Sequence, residues 1–333
     1  MYRYSLVKPF QYFCLSLTLI LSVYLIKSIV LHAQTSVIGS TGVEIISKPE
    51  FPGANSAVEV SLDDYSLNTS GATILWYSNG VELTKFRNAR SAILQTGDIG
   101  KKLTVQVALT RDNGLPLTAK LDIIPTKVDI VLEANTYIPS FYKGRALPSS
   151  ESTVRAIAVV HDGTQTSDTE YTYTWSLNEQ VLLGGPIKGK NTLTFTMPHY
   201  EGERLIVEVF NTDGVIVGRQ SLVLNASNPE LHFYEQSPIR GLFHKEITTP
   251  FTLIGDETTI YGEPYFMNTE INNSATQFSW EINGESTPSD SIAPNALTLS
   301  HVGGGGNGQI SLKVVNRERI PQFIKKAFQI FFE

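Results

Sequence analysis

Residues 74–80 read ILWYSNG, residues 173–179 read YTWSLNE and residues 278–284 read FSWEING. The tryptophans at the centre of these stretches, Trp76, Trp175 and Trp280, are the only ones in the chain and lie roughly 100 residues apart. In each stretch a large apolar residue precedes tryptophan by two positions, and asparagine follows it by three. Two-residue alternation that ends at a turn residue is typical of a β-strand entering a tight turn, so the chain repeats one strand–turn unit three times.

A second alternating column follows each tryptophan by about 30 residues. Its apolar members include Leu103 and Val105, then Leu205 and Val207, then Ile310 and Leu312. A third column precedes each tryptophan by about 20 residues, at 58–62, 154–158 and 258–260, and a shorter one recurs at 92–94, 193–195 and 297–299. Alternation of this kind predicts strands with one face in a core.

The regular spacing of short strands predicts an all-β fold of three tandem immunoglobulin-like β-sandwich domains, at residues 42–125, 126–225 and 229–333. The tryptophans and the second column are the expected structural core. Six Asn-Gly or Asp-Gly pairs, which begin at residues 79, 113, 162, 213, 283 and 307, are hairpin signals. No segment after residue 35 shows a helical apolar period over ten or more positions.

Composition and charge exclude several classes of function. The 333 residues include 26 Lys and Arg against 32 Asp and Glu, for a formal net charge of −6, and no basic cluster interrupts the acidic body. Nucleic-acid binding is therefore not expected, because phosphate neutralisation needs clustered cations. The single cysteine, Cys14, lies in the N-terminal segment, so the remainder of the chain holds no disulfide and must fold on its apolar cores.

The N-terminus combines positive charge with a long apolar run. Arg3 and Lys8 precede an apolar stretch over residues 10–31, and the small residue Ala33 follows it. This order predicts either a cleaved signal peptide over residues 1–34 or an uncleaved helix that anchors the chain in the membrane through residues 10–31. Both alternatives place the rest of the chain in an extracytoplasmic location, secreted or attached to the cytoplasmic membrane.

A tryptophan on the third core strand, beneath a later Leu-x-Val-x-Val strand, resembles the immunoglobulin-like superfamily. The run from Gly202 through residues 205–209 into Asp213-Gly214 looks like the closing strands of bacterial cell-surface modules of the polycystic-kidney-disease (PKD) type. The overall plan is similar to secreted immunoglobulin-like chains of small-genome bacteria. The paired core cysteines of antibody domains and the Gly-Asp-Gly loop of PKD modules are missing from this sequence. The resemblance implies a surface or adhesive role.

The sequence shows no catalytic or metal-binding constellation. The six histidines lack His-x-x-x-His or Glu-x-x-His spacing, so neither a metal nor another cofactor is expected. Asp63, Asp64 and Asn68 are possible calcium ligands, but a solvated turn at the end of a strand is the favoured interpretation, because an oxygen cage needs more ligands than this loop supplies. The glycine run at residues 303–306 precedes a strand rather than a helix, and this context favours a flexible loop over a phosphate cradle. We therefore expect that the chain is not an enzyme.

Two aromatic segments are the candidate binding residues. Residues 137–144 contain Tyr137, Phe141 and Tyr142, and residues 237–244 contain Arg240 and Phe243. Each segment follows the first strand of its domain and combines proline, a cation and glycine, and residues 50–53 are a reduced version in the first domain. One interpretation is a strand that breaks and crosses between sheets, with its aromatics packed at a domain junction. The other is a patch that binds a protein or a glycan at the cell surface.

The sequence therefore favours a non-enzymatic structural or adhesion protein of the bacterial cell envelope. A first alternative is an accessory protein that binds a carbohydrate or another polymer through its aromatic segments. A second alternative is an envelope-anchored subunit of a pilus or a secretion apparatus, held by the helix at residues 10–31.

Overall fold

The computed structural model describes residues 43–332, apart from residues 64–70, 111–113, 115–116, 238, 254, 269–274, 302, 304 and 318–320. The predicted N-terminal segment at residues 1–34 lies outside these residues, as do Asp64 and Asn68 of the possible calcium site. Within them, the regular structure is all β apart from one 3-10 turn at Thr84–Phe86. The predicted fold class is confirmed: the strands form six sheets, which pair into three sandwiches.

The first sandwich packs a three-stranded sheet on a four-stranded sheet. The strand order is β1-β2-β5 in one sheet and β4-β3-β6-β7 in the other, and every neighbouring pair is antiparallel. Its strands are β1 (Glu44–Lys48), β2 (Ala57–Asp63), β3 (Thr73–Ser78), β4 (Val81–Glu82), β5 (Ser91–Gln95), β6 (Leu103–Thr110) and β7 (Leu117–Ile123).

The second sandwich repeats this topology. Its sheets have the order β13-β9-β8 and β11-β10-β14-β15, and the short strand β12 also pairs with β10. Its strands are β8 (Lys127–Ala134), β9 (Thr153–His161), β10 (Thr172–Leu177), β11 (Gln180–Val181), β12 (Ile187–Lys188), β13 (Thr192–Thr196), β14 (Glu203–Phe210) and β15 (Ile216–Leu224).

The third sandwich has two larger sheets, ordered β17-β16-β19-β22 and β18-β24-β23-β20-β21. The short strand β18 pairs in parallel with β24, so the chain changes sheets after its first hairpin. The strands are β16 (Glu230–Ser237), β17 (Gly241–Glu246), β18 (Phe251–Leu253), β19 (Glu257–Tyr265), β20 (Thr276–Ile282), β21 (Glu285–Thr287), β22 (Ala296–Ser300), β23 (Gly306–Asn316) and β24 (Gln322–Phe332).

Each tryptophan lies in the centre of its own sandwich. Trp76, Trp175 and Trp280 expose 0%, 1% and 1% of their surface and occupy β3, β10 and β20. The six residues of the second column are buried beside them, Leu103 and Val105 in the first cluster, Leu205 and Val207 in the second, Ile310 and Leu312 in the third. Alternate positions of the strands face inward, which is why a two-residue apolar period builds each core.

One repeated hydrogen bond supports the core of each sandwich. The indole N–H of Trp76 donates to the Ala89 carbonyl at 2.9 Å, and the equivalent bonds of Trp175 and Trp280 reach Lys190 and Pro294 at 3.0 and 3.2 Å. A buried indole needs such an acceptor, because an unpaired N–H costs free energy.

The asparagine three residues after each tryptophan holds two strands together. Asn79 donates its N–H to the Thr104 carbonyl, and its Oδ1 accepts the Thr104 N–H at 2.9 Å. The same two bonds join Asn178 to Arg204 and Asn283 to Gln309. These asparagines have φ of 47°, 46° and 52°, a conformation that asparagine adopts more readily than most residues. The asparagine is thus both a turn residue and a side-chain link to the following core strand.

The structure corrects two of the six predicted hairpin turns. The pairs at 79, 213 and 283 are hairpin turns between paired strands, and Asn113 lies outside the described residues. Asp162-Gly163 instead connects β9 to β10, which lie in different sheets. Asn307-Gly308 lies inside β23, paired with Phe331 and Ile330. The predicted flexible loop at residues 303–306 is wrong for its last residue, because Gly306 is the first residue of β23 and pairs with Phe332 of β24.

Candidate functional site

The connection between β8 and β9 lies against the third sandwich. Tyr137 donates its N–H to the Met267 carbonyl at 2.8 Å, and its own carbonyl accepts the Phe266 N–H at 2.7 Å. These two reciprocal bonds resemble one rung of an antiparallel ladder and join the second sandwich to the end of β19. The two sandwiches are therefore linked through backbone hydrogen bonds in addition to the sequential linker between β15 and β16.

Aromatic side chains fill this junction. A separate apolar cluster, here called the junction cluster, consists of Tyr234, Tyr265 and Phe266 from the third sandwich with Ile138, Phe141, Leu147 and Leu242 packed on it. Phe141 meets Tyr234 edge to face at 5.0 Å between ring centroids, and Tyr142 meets Tyr265 in the same way at 5.2 Å. Perpendicular ring pairs at this distance are favourable beyond the area that they bury.

A carboxyl group is buried at one end of the cluster. Glu263 exposes 6% of its surface and accepts hydrogen bonds from Tyr137 Oη at 2.7 Å and from Asn295 Nδ2 at 3.3 Å. Burial raises the pKa of Glu263 above its ordinary value, and the bond from Tyr137 offsets only part of this effect. Burial and the same bond raise the pKa of the Tyr137 phenol. The pair is thus a tyrosine hydroxyl that donates to a buried acid whose pKa is raised.

A polar clasp also joins the two sandwiches at this junction. Gln322 of β24 donates through Nε2 to the Ser149 hydroxyl at 3.2 Å and to the Ser150 carbonyl at 3.0 Å. Asn268 accepts from the Ser149 hydroxyl at 3.0 Å and donates to the Ser150 carbonyl at 3.2 Å. Two amides from the third sandwich therefore bind the same serine pair of the second.

A cavity of about 640 Å³ opens between the two sandwiches beside the cluster. One wall is apolar and aromatic, lined by Phe141, Tyr142, Leu147, Tyr234, Tyr265 and Phe266. The remaining lining is polar, formed by Lys143, Glu230, His232, His244 and Glu246. Such a combination of aromatic wall and convergent polar groups is typical of ligand sites.

The polar wall is organised around a histidine. Nε2 of His232 lies 2.9 Å from Glu230, and its Nδ1 lies 2.9 Å from Glu246, which also pairs with Lys326 at 2.7 Å. Partial burial acts to raise the pKa of Glu246, but the hydrogen bonds from Lys326 and His232 lower it below its ordinary value. Both ring nitrogens can donate to these carboxylates only when the imidazole carries two protons.

The first junction, between the first and second sandwiches, has different contacts from the second junction, between the second and third. The backbones of Gly100 and Gly163 touch across it, since a methyl group on Gly100 would lie 2.5 Å from the Asp162 carbonyl oxygen. Pro49, Glu50 and Phe51 of the first sandwich line a second cavity, of about 520 Å³, with residues of the second that include Arg204 and Arg219. The segment after the first strand thus faces the next sandwich at both junctions.

The structure brings together three of the five candidate binding residues. Tyr137, Phe141 and Tyr142 lie at the second junction, where the first two are partly buried and Tyr142 is 36% exposed. Arg240 is exposed in the turn between β16 and β17, and Phe243 is partly buried on β17; neither lines the cavity. The structural interpretation predicted a first strand that changes sheets. In the third sandwich the first strand, β16, instead stays in one sheet and forms a hairpin with β17, and the chain changes sheets afterwards at β18.

Sequence reasoning missed the polar half of the site, namely Glu263, His232, Glu246 and His244. The local sequence pattern does not show that Glu263 is buried. The residues before and after it on β19 are buried as well, so this part of the strand lacks the alternation of buried and exposed residues that a sequence pattern can reveal. His232 lies on β16 and Glu246 at the end of the next strand, β17, and the two side chains meet because these strands pair.

Two absences concern only the residues described above. None of their helical segments is long and apolar enough to cross a membrane, and residues 10–31 are not among them. In the same part of the chain, no group of three or more His, Cys, Asp or Glu side chains is arranged to hold a metal ion.

Comparisons with known proteins add a distant likeness. No family model and no curated protein matches the chain. Three domains of the bacteriophage RB49 outer capsid protein Hoc are 13% identical, with 88% of this chain and 98% of that chain covered and a TM-score of 0.24. Fibronectin(III)-like modules of Clostridium thermocellum CbhA are 10% identical, covering 55% and 94%, with a TM-score of 0.26.

A fibronectin-III array of RIM-binding protein is 12% identical, covering 81% of this chain and 92% of that chain at a TM-score of 0.28. Likenesses at these TM-scores carry no argument about function. The class of protein follows instead from the sheets and cores of the molecule, which define a repeat protein of immunoglobulin-like sandwiches.

Proposed function

We propose that this chain is a non-enzymatic extracytoplasmic protein of the bacterial cell envelope that acts as a structural spacer or an adhesion module. One observation carries the proposal: the second and third sandwiches are joined by reciprocal backbone bonds at Tyr137 and by the clasp at Gln322. Sandwiches held in this way keep a fixed angle, whereas domains joined only by a linker move independently. A fixed angle is what a spacer or an adhesive stalk requires.

The sequence supports the location. A charged and apolar N-terminus precedes an acidic body without cysteine, as expected for a chain exported through residues 1–34 and possessing no disulfide. We propose the domain limits 42–125, 126–225 and 229–333, since the three sets of strands fall within them. Residues 10–31, if uncleaved, hold the chain on the membrane.

Spin labels test the fixed angle. Cys14 is the only cysteine, so a Cys14→Ser chain can be labelled at two introduced cysteines. Thr194→Cys on β13 and Lys313→Cys on β23 place these labels at exposed positions of the second and third sandwiches. We expect one narrow distance distribution by pulsed electron resonance, and a broader one when Asn268→Ala and Gln322→Ala remove the clasp. A broad distribution in the parent chain would contradict a spacer.

Surface display tests the location. A full-length chain with a C-terminal epitope, produced in a bacterial host, should bind antibody on spheroplasts whose cytoplasmic membrane is intact. A host protein of the cytoplasm provides the control. Labelling that appears only after the cytoplasmic membrane is broken would refute extracytoplasmic placement.

A second candidate function is carbohydrate or polymer binding. The cavity at the second junction favours it, because its aromatic wall faces polar groups that have hydrogen-bonding capacity to spare. Binding and spacing are compatible, since a ligand between two sandwiches would add contacts to both.

A further inference from the structure

We propose that the cavity between the second and third sandwiches is a saccharide-binding site. This inference rests on the second candidate function and deepens it, because it assigns the ligand class and the residues that hold the ligand. The cavity volume of about 640 Å³ lies within the range of small-molecule sites. Its walls come from both sandwiches, so the site exists only in the joined molecule.

The aromatic wall is held in place before any ligand arrives. The ring of Tyr142 folds back over Gly144, where any side chain would collide with the ring atoms. Its other contacts are edge-to-face, with Tyr265 at 5.2 Å and Phe266 at 6.2 Å. Tyr142 remains 36% exposed and lines the cavity. A fixed and partly exposed ring can pack against the apolar C–H face of a sugar at little entropic cost.

The polar lining offers hydrogen-bonding groups of both kinds. Within the described residues, the Lys143 ammonium, the Tyr142 hydroxyl and the ring nitrogens of His244 make no hydrogen bond, so their donors are available. Glu230 contacts His232 through Oε2, and Glu246 contacts His232 and Lys326 through Oε1. Among the residues that the structure describes, nothing donates to the second oxygen of either carboxylate, so each can accept a hydrogen bond from a ligand.

This mixture of charges selects the ligand class. A sugar hydroxyl both donates and accepts, so it can bond to an ammonium on one side and a carboxylate on the other. A simple cation would be repelled by Lys143, and a simple anion would be repelled by Glu230 and Glu246. Aromatic rings next to charges of both signs thus fit a neutral saccharide better than an ion.

Calorimetry on the full chain tests the site. The chain is kept in a polyoxyethylene detergent, which carries no sugar, and is titrated with cellohexaose, maltohexaose and chitohexaose. We expect at least one of these to bind with a Kd below about 1 mM. Tyr142→Ala and Lys143→Ala should each weaken that binding at least tenfold. Tyr200→Ala is the matched control, because it removes a ring that is 76% exposed and does not line the cavity.

Three results would overturn the proposal. The first is the absence of binding by all three oligosaccharides. The second is an equal loss of affinity in Tyr200→Ala and in the cavity variants. The third is Tyr142-dependent binding of tetramethylammonium or acetate that is tighter than that of any sugar. Lys143 is exposed, so the Lys143→Ala variant still tests the site if Tyr142→Ala disturbs the junction. The spin-label distances test the spacer role separately from sugar binding.

Discussion

In each sandwich, two side chains form hydrogen bonds to the backbone of other segments, in addition to the backbone hydrogen bonds between paired strands. The indole of Trp76 bonds to a carbonyl 13 residues later in the chain, on the connection towards β5. Asn79 links the turn after β3 to the start of β6 through its side chain. Because the same pair recurs in all three sandwiches, the tryptophan and the asparagine form one structural unit.

Two acids at the second junction respond to pH in opposite directions. Glu263 has a pKa raised by burial, so it contributes stability below its unfolded pKa of about 4.5 and loses that contribution as pH rises through its folded pKa. Glu246 has a lowered pKa and contributes stability above about 4.5, which is lost as pH falls through its folded pKa. The junction therefore contains two titrations of opposite sign.

Glu263→Gln should stabilise the protein above the folded pKa of Glu263. The amide is uncharged at every pH, so the loss of stability that the parent chain suffers above pH 4.5 is absent. Urea unfolding at pH 4 and pH 8 measures the difference, which should be small at pH 4 and favour the variant at pH 8.

Glu246→Gln is the matched control with the opposite sign. Here the variant should be less stable than the parent chain at pH 8, and the difference should shrink as pH falls below 4.5. The account of the junction would be wrong if both variants shifted stability in the same direction at pH 8.

Among the elements, β24 pairs with two other strands of the third sandwich. It pairs with β23 over eleven residues and with β18 in parallel, and it supplies Phe328 and Ile330 to the core. Strand β18 has no other partner among the described strands. The third sandwich therefore depends on the last strand of the chain for both sheet continuity and core volume.

Truncation after Ala327 should prevent the third sandwich from folding. The shortened chain loses Phe328 and Ile330 from the core, a cost of several kcal/mol by the measured effects of large-to-small core changes, and β18 loses its pairing. Heating should show one cooperative transition fewer than the parent chain.

A chain that lacks only residue 333 provides the comparison, since it keeps every paired residue of β24. If the chain truncated after Ala327 still melted cooperatively in its third sandwich, the assigned role of β24 would have to be abandoned.

At the scale of the whole molecule, the two junctions between sandwiches are held by different kinds of contact. The first is a close approach of two glycine backbones, Gly100 and Gly163, which both have φ of +78°. The second combines an aromatic cluster, a buried acid and a polar clasp. Contact between backbones requires the absence of side chains, whereas the second junction depends on their presence.

Gly100→Ala should loosen the first junction. The new methyl group would lie 2.5 Å from the Asp162 carbonyl oxygen, and alanine is strained at this positive φ, so the two sandwiches must separate locally. Spin labels on the first and second sandwiches should report a broader distance distribution.

Gly53→Ala is the control, because its φ is ordinary and a methyl group there would meet nothing nearer than 4.0 Å. An unchanged distribution in Gly100→Ala would show that the glycine contact does not set the geometry of the junction.

The repeated pattern around Trp76, Trp175 and Trp280 was enough to predict the sandwich fold and the alternation of each core strand. These features depend on which residue types alternate along one strand, and that information is local. The same local reasoning failed at Asp162-Gly163, where the chain crosses to the other sheet instead of forming a hairpin, and at Asn307-Gly308, which pairs with β24 inside a strand.

The polar half of the candidate site follows from contacts between distant segments. Tyr137 reaches Glu263 across 126 positions of sequence, and Gln322 reaches Ser149 across 173. No short pattern encodes such a meeting, because it depends on how one folded sandwich docks on the next. Periodicity in the chain thus specifies the strands and their buried faces, whereas the docking of whole sandwiches creates the buried acid and the cavity beside it.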